Sequence, residues 1–356
     1  MTYPTGPYGY GYAPPPPPPK PGVIPLAPLR FGEILTGAFS TYGRYWKPLI
    51  GVAISAYAGA ALLVGALLLT GWALVGDTVR RLEATPSGMD ADADDITALV
   101  VAFGVVWLAA MIVMLLSSAL VYAAVPAVLQ EAVLGRPIGF ATAWRRAWSR
   151  LGSVLGTILL TALVTALPVV PFVLGFVFLF LGMIESASSS SSSDVGGGMA
   201  LTGGLMFLVM LLAVPLAAWL WVKFSLAPTV AVIEQQGPVA AMRRSSALVR
   251  GSWWRIFGCT LAAAAMASMV GFFIQQIVST VGSFPLMTYN PQDQVSASDL
   301  IGIFGGMMAV LLIGQLITQA VIAPFQPLVS GLLYVDQRIR QENLAPTLAQ
   351  TAATPY

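Results

Sequence analysis

The chain has no histidine, one cysteine and very little charge: only 9% of its 356 residues are Asp, Glu, Lys or Arg. Without histidine there is no Ser-His-Asp relay and no imidazole to ligate a metal. A single cysteine, Cys259, allows neither an intramolecular disulfide nor a thiolate zinc site. No GxxxxGK[ST] stretch is present to cradle a phosphate. The acidic cluster Asp90, Asp92, Asp94 and Asp95 lacks the glycine and distal glutamate of an EF-hand and reads as a solvated loop. The first 22 residues lack the apolar core of a signal peptide, so the first hydrophobic run is expected to direct insertion itself. No cofactor, no metal, no nucleic-acid partner and no enzymatic turnover are expected.

A soluble domain carries about a quarter charged residues. Here the charge is missing from six long runs, at 48–76, 96–130, 151–184, 195–222, 256–292 and 300–335, none of which contains a single Asp, Glu, Lys or Arg. About 20 apolar residues cross a bilayer, and each run is long enough. The expected fold class is therefore an all-α membrane protein of six transmembrane helices, occupying residues 23–344.

The few charges are unevenly placed. Lys20, Arg30, Arg44 and Lys47 precede the first run, and Arg136, Arg145, Arg146 and Arg150 lie between the second and third. Lys223, Arg243, Arg244, Arg250 and Arg255 lie between the fourth and fifth, and Arg338 and Arg340 follow the sixth. That is 15 of the 17 basic residues on one side of a six-span chain. Asp77, Glu83, Asp90, Asp92, Asp94, Asp95, Glu185, Asp194, Asp293 and Asp299 fall on the other. Lysine and arginine stay in the cytoplasm during insertion, which predicts a multi-pass membrane protein with both termini inside. The outer loops are expected at 77–95 (acidic), 185–198 (a flexible polar linker) and 284–299 (irregular). Residues 1–22, MTYPTGPYGYGYAPPPPPPKPG, read as a disordered proline-rich tail, either a spacer or a docking segment for a proline-binding partner. Residues 345–356 read as a short cytoplasmic tail.

The basic side repeats itself. Arg44, Arg150 and Arg250 each stand six to eight residues before a glycine that heads an odd span, namely Gly51, Gly156 and Gly258. Aromatic-rich stretches surround them: FSTYGRYW, TAWRRAWSR and VRGSWWR. Prolines recur near the basic end of the even spans, at Pro126, Pro228 and Pro324 with Pro327. The spacing predicts three units, each an amphipathic interfacial helix followed by two spans. On a helical projection Ala141, Trp144, Trp148 and Leu151 fall on one face, with Arg146, Ser149 and Arg150 opposite. Phe31, Ile34, Leu35, Ala38, Tyr42, Tyr45 and Leu49 form a stripe in the first unit. Val239, Met242, Val249 and Trp253 align in the third, where Gly251 is placed to break the helix. Tryptophan on one face and arginine on the other describe a helix lying in the headgroup layer. The surface expected to anchor the chain, or to meet anionic lipid or a cytoplasmic protein partner, comprises Arg44, Lys47, Trp144, Arg145, Arg146, Trp148, Arg150, Arg243, Arg244, Arg250, Trp253 and Arg255.

Polar groups within the spans are few. Gln315, Gln319 and Gln326 share one helical face of span six and, with Gln275 and Gln276 on span five, could line a polar path; interhelical hydrogen bonding is the plainer role. For a membrane enzyme, Glu33 beside Arg30 is the only charged pair near a plausible headgroup site, and helix capping or an ion pair explains it equally well. The paired prolines Pro168 and Pro171, and Pro324 and Pro327, predict broken helices.

The segments GVIPLAPLRFGEILTGAF (22–39), AVLGRPIGFATAWRRAWSRLG (132–152), GPVAAMRRSSALVRGSWWRIFG (237–258) and LLYVDQRIRQENL (332–344) resemble bacterial polytopic proteins of the glycerophosphoryl diester phosphodiesterase membrane-domain family. The resemblance spans about residues 22–345. It implies the membrane module alone, placed in a bacterial plasma membrane. The catalysis of the enzymes that name the family resembles acid–base chemistry by paired histidines beside a carboxylate-held metal, and this chain has neither histidine nor room for a catalytic barrel. The expectation is a non-catalytic integral membrane protein, a scaffold or accessory for lipid- or envelope-related processes. The alternative is a transporter or channel component with a polar path along span six.

Overall fold

A computed structural model describes residues 21–84, 93–188, 195–287 and 297–353. Most of the proline-rich tail and the centres of the three acidic-side loops lie outside the described residues. Among those described, every regular element is helical. They are α1 (Phe31–Arg44), α2 (Trp46–Ala84), α3 (Ala93–Val133), α4 (Phe140–Ala166), α5 (Val170–Ser188), α6 (Val195–Phe224), α7 (Ala227–Ile233), α8 (Pro238–Val249), α9 (Trp253–Met287), α10 (Ala297–Ile322), α11 (Phe325–Glu342) and α12 (Leu344–Ala353). Six stretches are long and apolar enough to cross a membrane: Trp46–Thr78, Thr97–Val133, Phe140–Gly182, Gly203–Ile233, Trp253–Phe284 and Val310–Glu342. The protein is an all-α, multi-pass membrane protein.

Proline punctuates some spans and not others. It removes one backbone N–H and crowds the preceding turn. In span three a single 3-10 turn at Leu167–Val169, holding Pro168, separates α4 from α5. In span four the chain breaks between α6 and α7, where Pro228 occupies the first turn of α7. In span six Pro324 caps α11 after α10 has ended. Pro126 and Pro215, by contrast, lie inside α3 and α6 without ending them. The described edges of the expected outer loops are helical. Residues 77–84, 185–188, 195–198 and 284–287 are helical extensions of the spans.

The buried core lies at one end, the basic end. It gathers Val23, Ile24, Leu26 and Leu29 before α1, the last turns of α3, the first half of α4, α7, α8, the start of α9 and nearly all of α11. Towards the acidic end the same helices expose apolar side chains, including Leu69, Leu74, Phe103, Phe178, Leu212 and Phe272. In water such a surface would drive aggregation. In a bilayer the tails are as apolar as leucine, so these side chains need no protein cover. There the helices approach through small residues: Gly71 against Val106, Gly271 against Ile322 and Gly314 against Val278.

The interfacial segments depart from the projection. In the first unit α1 is a separate helix, capped by Tyr45, and Ile34, Ala38, Tyr45 and Leu49 of the stripe that continues into α2 are buried. In the third, α8 ends at Val249 and Gly251 takes φ +83°, a left-handed value open to glycine. The middle segment is not a separate in-plane helix. Residues 140–150 run without interruption into span three as α4. The faces that meet neighbouring helices carry mostly small side chains. Ala143, Ala147 and Val154 face inward on α4, and Ala241, Ser245 and Leu248 on α8, while Trp148 and Val239 are exposed. Small side chains let these helices come close: a methyl on Gly156 of α4 would stand 2.7 Å from Pro238 of α8. The C-terminal tail is partly helical. Leu344, Ala345 and Leu348 of α12 pack on the core, and the Thr351 carbonyl accepts a hydrogen bond from Arg136 at 2.9 Å.

Candidate functional site

Five acidic residues fall at the basic end, among the cations: Glu33, Glu131, Glu234, Asp336 and Glu342. All five are used inside the fold. Glu33 accepts the Arg30 backbone N–H at 2.6 Å and so caps the start of α1. Glu131, at the end of α3, pairs with Arg146 of α4 at 2.9 Å. Glu234, after α7, accepts from Arg244 of α8 at 3.0 Å, from the Tyr334 hydroxyl at 2.8 Å and from Gln236 at 3.0 Å. Glu342 binds Arg244 and, at 2.8 Å, Arg338. Partial burial alone would lower the pKa of Arg244, but its bonds to Glu234 and Glu342 hold the guanidinium above its ordinary value.

Asp336 is the deepest of the five, with no exposed surface. One oxygen accepts the Leu29 N–H at 2.8 Å, and the carboxylate pairs with Arg255 of α9 at 2.9 Å and Arg340 at 3.0 Å. Both guanidiniums also donate to the Leu29 carbonyl. The strap at 21–30 is thus latched to α9 and α11 through one residue. Its other end is held at the turn after α3, where the Val23 N–H donates to the Ala132 carbonyl at 3.2 Å. Tyr42 of α1 donates to the Val321 carbonyl at 3.0 Å, beside the break in span six; burial pushes its phenol pKa up, so it remains a donor.

The nine cations expected to face lipid or a partner therefore divide. Arg146, Arg244 and Arg255 are spent in internal ion pairs. Arg44, Lys47, Arg145, Arg150, Arg243 and Arg250 have no carboxylate partner among the described residues. Aromatic rings accompany them. Arg44 lies 5.9 Å from the Tyr45 ring centre and Lys47 5.9 Å from that of Trp46. Phe140, Trp144 and Trp148 form a run on α4, with centroids 5.8 Å and 6.1 Å apart. Trp253 stacks on Phe257 at 5.1 Å.

The three glutamines of span six do not share one continuous face, because the helix breaks between Gln319 and Gln326. Gln315 is exposed on α10 and Gln319 half-buried. Gln326, on α11, lines a hollow of about 300 Å³ with Ser118, Tyr122, Thr161, Thr165 and Ser330. Its Oε1 and the Thr161 hydroxyl are buried without a hydrogen-bond partner.

Sequence reasoning passed over Asp336, Glu234 and Tyr334. A signal was present: acids on the side where cations gather are exceptions, and Asp336 stands four residues before Arg340, one helical turn. The long-range partners, Leu29 and Arg255, leave no local trace. Comparison of the chain with known proteins found no matching family model, no matching curated protein and no matching solved structure.

Proposed function

We propose that the chain is a non-catalytic integral membrane protein whose basic end faces the cytoplasm of a bacterial cell and gathers anionic lipid, serving as a scaffold or accessory in lipid- or envelope-related processes. The resemblance of residues 132–152 and 237–258 to the glycerophosphoryl diester phosphodiesterase membrane module agrees with this reading. One observation carries it. At the basic end Glu131, Glu234, Asp336 and Glu342 are paired with arginines within the fold, while Arg44, Lys47, Arg145, Arg150, Arg243 and Arg250 have no carboxylate partner among the described residues, with the exposed Trp46 beside Lys47 and Trp219 and Trp253 sharing a hollow with Arg250. Rings at headgroup depth and cations towards the aqueous side favour an anionic leaflet. Each such cation contributes ~1 kcal/mol of attraction.

The test is the lipid content of protein purified in mild detergent. Arg145→Gln with Arg150→Gln should retain several-fold less phosphatidylglycerol and cardiolipin than wild type; an unchanged lipid profile would overturn the proposal. Arg146 is left intact because its bond to Glu131 joins two helices. A second reading, a transport path, is favoured by Gln326 and its hydroxyl-lined hollow. It keeps one of the three glutamines and loses the continuous polar face.

A further inference from the structure

Between the end of α6, the end of α8 and the start of α9 lies an open hollow of about 380 Å³. Trp219 and Lys223 of α6, Ser246 of α8, Arg250 and Gly251 of the turn, and Trp253 of α9 line it. Trp253 forms one wall, tethered by its indole N–H to the Trp219 carbonyl at 3.4 Å. Lys223 Nζ lies 4.6 Å from the Trp219 ring centre and 5.7 Å from that of Phe224, so its ammonium is held by aromatic faces. Arg250 is exposed where α8 stops, and the positive φ of Gly251 turns the chain into α9. The leading N–H groups of α9, next to Trp253, have no acceptor within the helix and carry its positive end.

Two features suit this hollow to an anion with an apolar tail. Lys223 and Arg250 have no acid within ion-pair distance among the described residues, although Arg244 and Arg255 nearby in sequence are both paired. Its wall also continues into exposed apolar helix. Leu216 and Leu212 follow Trp219 at helical spacing along α6, and Leu261 follows Trp253 and Phe257 along α9. An anion at Lys223 and Arg250 would thus have hydrocarbon surface beside it, towards the membrane interior. A soluble phosphate would use only half of this geometry.

We infer that this hollow binds the headgroup phosphate of one anionic phospholipid, with its acyl chains along the exposed faces of α6 and α9. The inference rests on the reading that the basic end gathers anionic lipid, and it assigns that role to a single built site. Lys223 and Arg250 neutralise the phosphate, the Ser246 hydroxyl lies at its wall, and Trp219 and Trp253 set the depth of the glycerol.

The full chain is reconstituted into nanodiscs of phosphatidylcholine doped with phosphatidylglycerol, released gently, and weighed with its bound lipid by native mass spectrometry. Wild type should hold one phosphatidylglycerol in preference to phosphatidylcholine. Two cations near an anionic group are together worth about thirtyfold in affinity, so Lys223→Gln with Arg250→Gln should weaken that retention by about thirtyfold. Ser246→Glu, which leaves both cations and places a negative charge in the hollow, should do the same and guards against a double variant that fails to fold. Arg145→Gln with Arg150→Gln should keep the single lipid while losing bulk enrichment. Wild-type retention in both hollow variants would overturn the site and leave the broader reading standing. No preference for phosphatidylglycerol in wild type would overturn both. Glycerol phosphate binding as tightly as the lipid would overturn the assignment to a lipid.

Discussion

Asp336 sits without exposed surface where the strap before α1, the start of α9 and α11 meet. A carboxylate taken out of water is unfavourable unless charged and hydrogen-bonded partners replace the solvent. Here two guanidiniums and one backbone N–H do so, and the same guanidiniums satisfy the Leu29 carbonyl. Removing one member of such a set leaves the others buried with unmatched charge, a cost of about 3–5 kcal/mol. Asp336→Asn should therefore lower the apparent Tm of the detergent-solubilised protein markedly, measured by intrinsic tryptophan fluorescence. A variant melting with wild type would show that the latch does not hold the strap. Of this cluster only the Asp336–Arg340 pair, one turn apart, was legible along the chain. Leu29 is 307 residues from Asp336, and nothing local announces a partner at that distance.

At the scale of elements, proline and glycine were the readable signals and amphipathic projection the poor one. Pro168, Pro324 and Gly251 mark breaks that follow from a missing N–H or a positive φ. The projection set the aromatic face in the headgroup layer and did not tell which side chains meet neighbouring helices. On α4 and α8 the inward residues are Ala143, Ala147, Ala241 and Ser245, because close helix packing favours small side chains. The indoles are left at the rim, where ring and N–H can meet different surroundings. The strap shows the same dependence on close approach. Gly22 lies against the backbone carbonyls of Ala132 and Val133, and a methyl there would collide with both. Backbone cannot swing aside as a side-chain tip can. Gly22→Ala should therefore cost about 1–3 kcal/mol and loosen the strap, seen as faster tryptic cleavage after Arg30. Unaltered cleavage would mean that the strap is not seated by this contact.

For the whole molecule, burial is graded from one end to the other. The basic end is a packed, hydrogen-bonded core, and the helices towards the acidic end show apolar surface to their surroundings. This gradient suits a protein whose soluble-like part is built from the ends of its own spans. It also makes orientation testable. In a Cys259→Ser background, Trp148→Cys should react with a membrane-impermeant maleimide only in inside-out vesicles, since the proposed topology puts the basic end in the cytoplasm. Labelling in right-side-out cells would overturn it. In the same series Gln326→Cys should resist the reagent from both sides if the hollow beside it is closed to water. Reaction there would favour a hydrated path.

Six apolar runs, free of charge and each longer than a bilayer is thick, determine by themselves that the chain is helical and crosses a membrane, because an unpaired backbone cannot survive in hydrocarbon. The lopsided cations likewise mark one end as basic. Which of those cations remain available was decided only by the tertiary structure. Whether an arginine meets lipid or a carboxylate depends on distances between helices far apart in sequence. Glu131, Glu234, Asp336 and Glu342 claim Arg146, Arg244, Arg255, Arg338 and Arg340, and leave Lys223 and Arg250 facing a hollow.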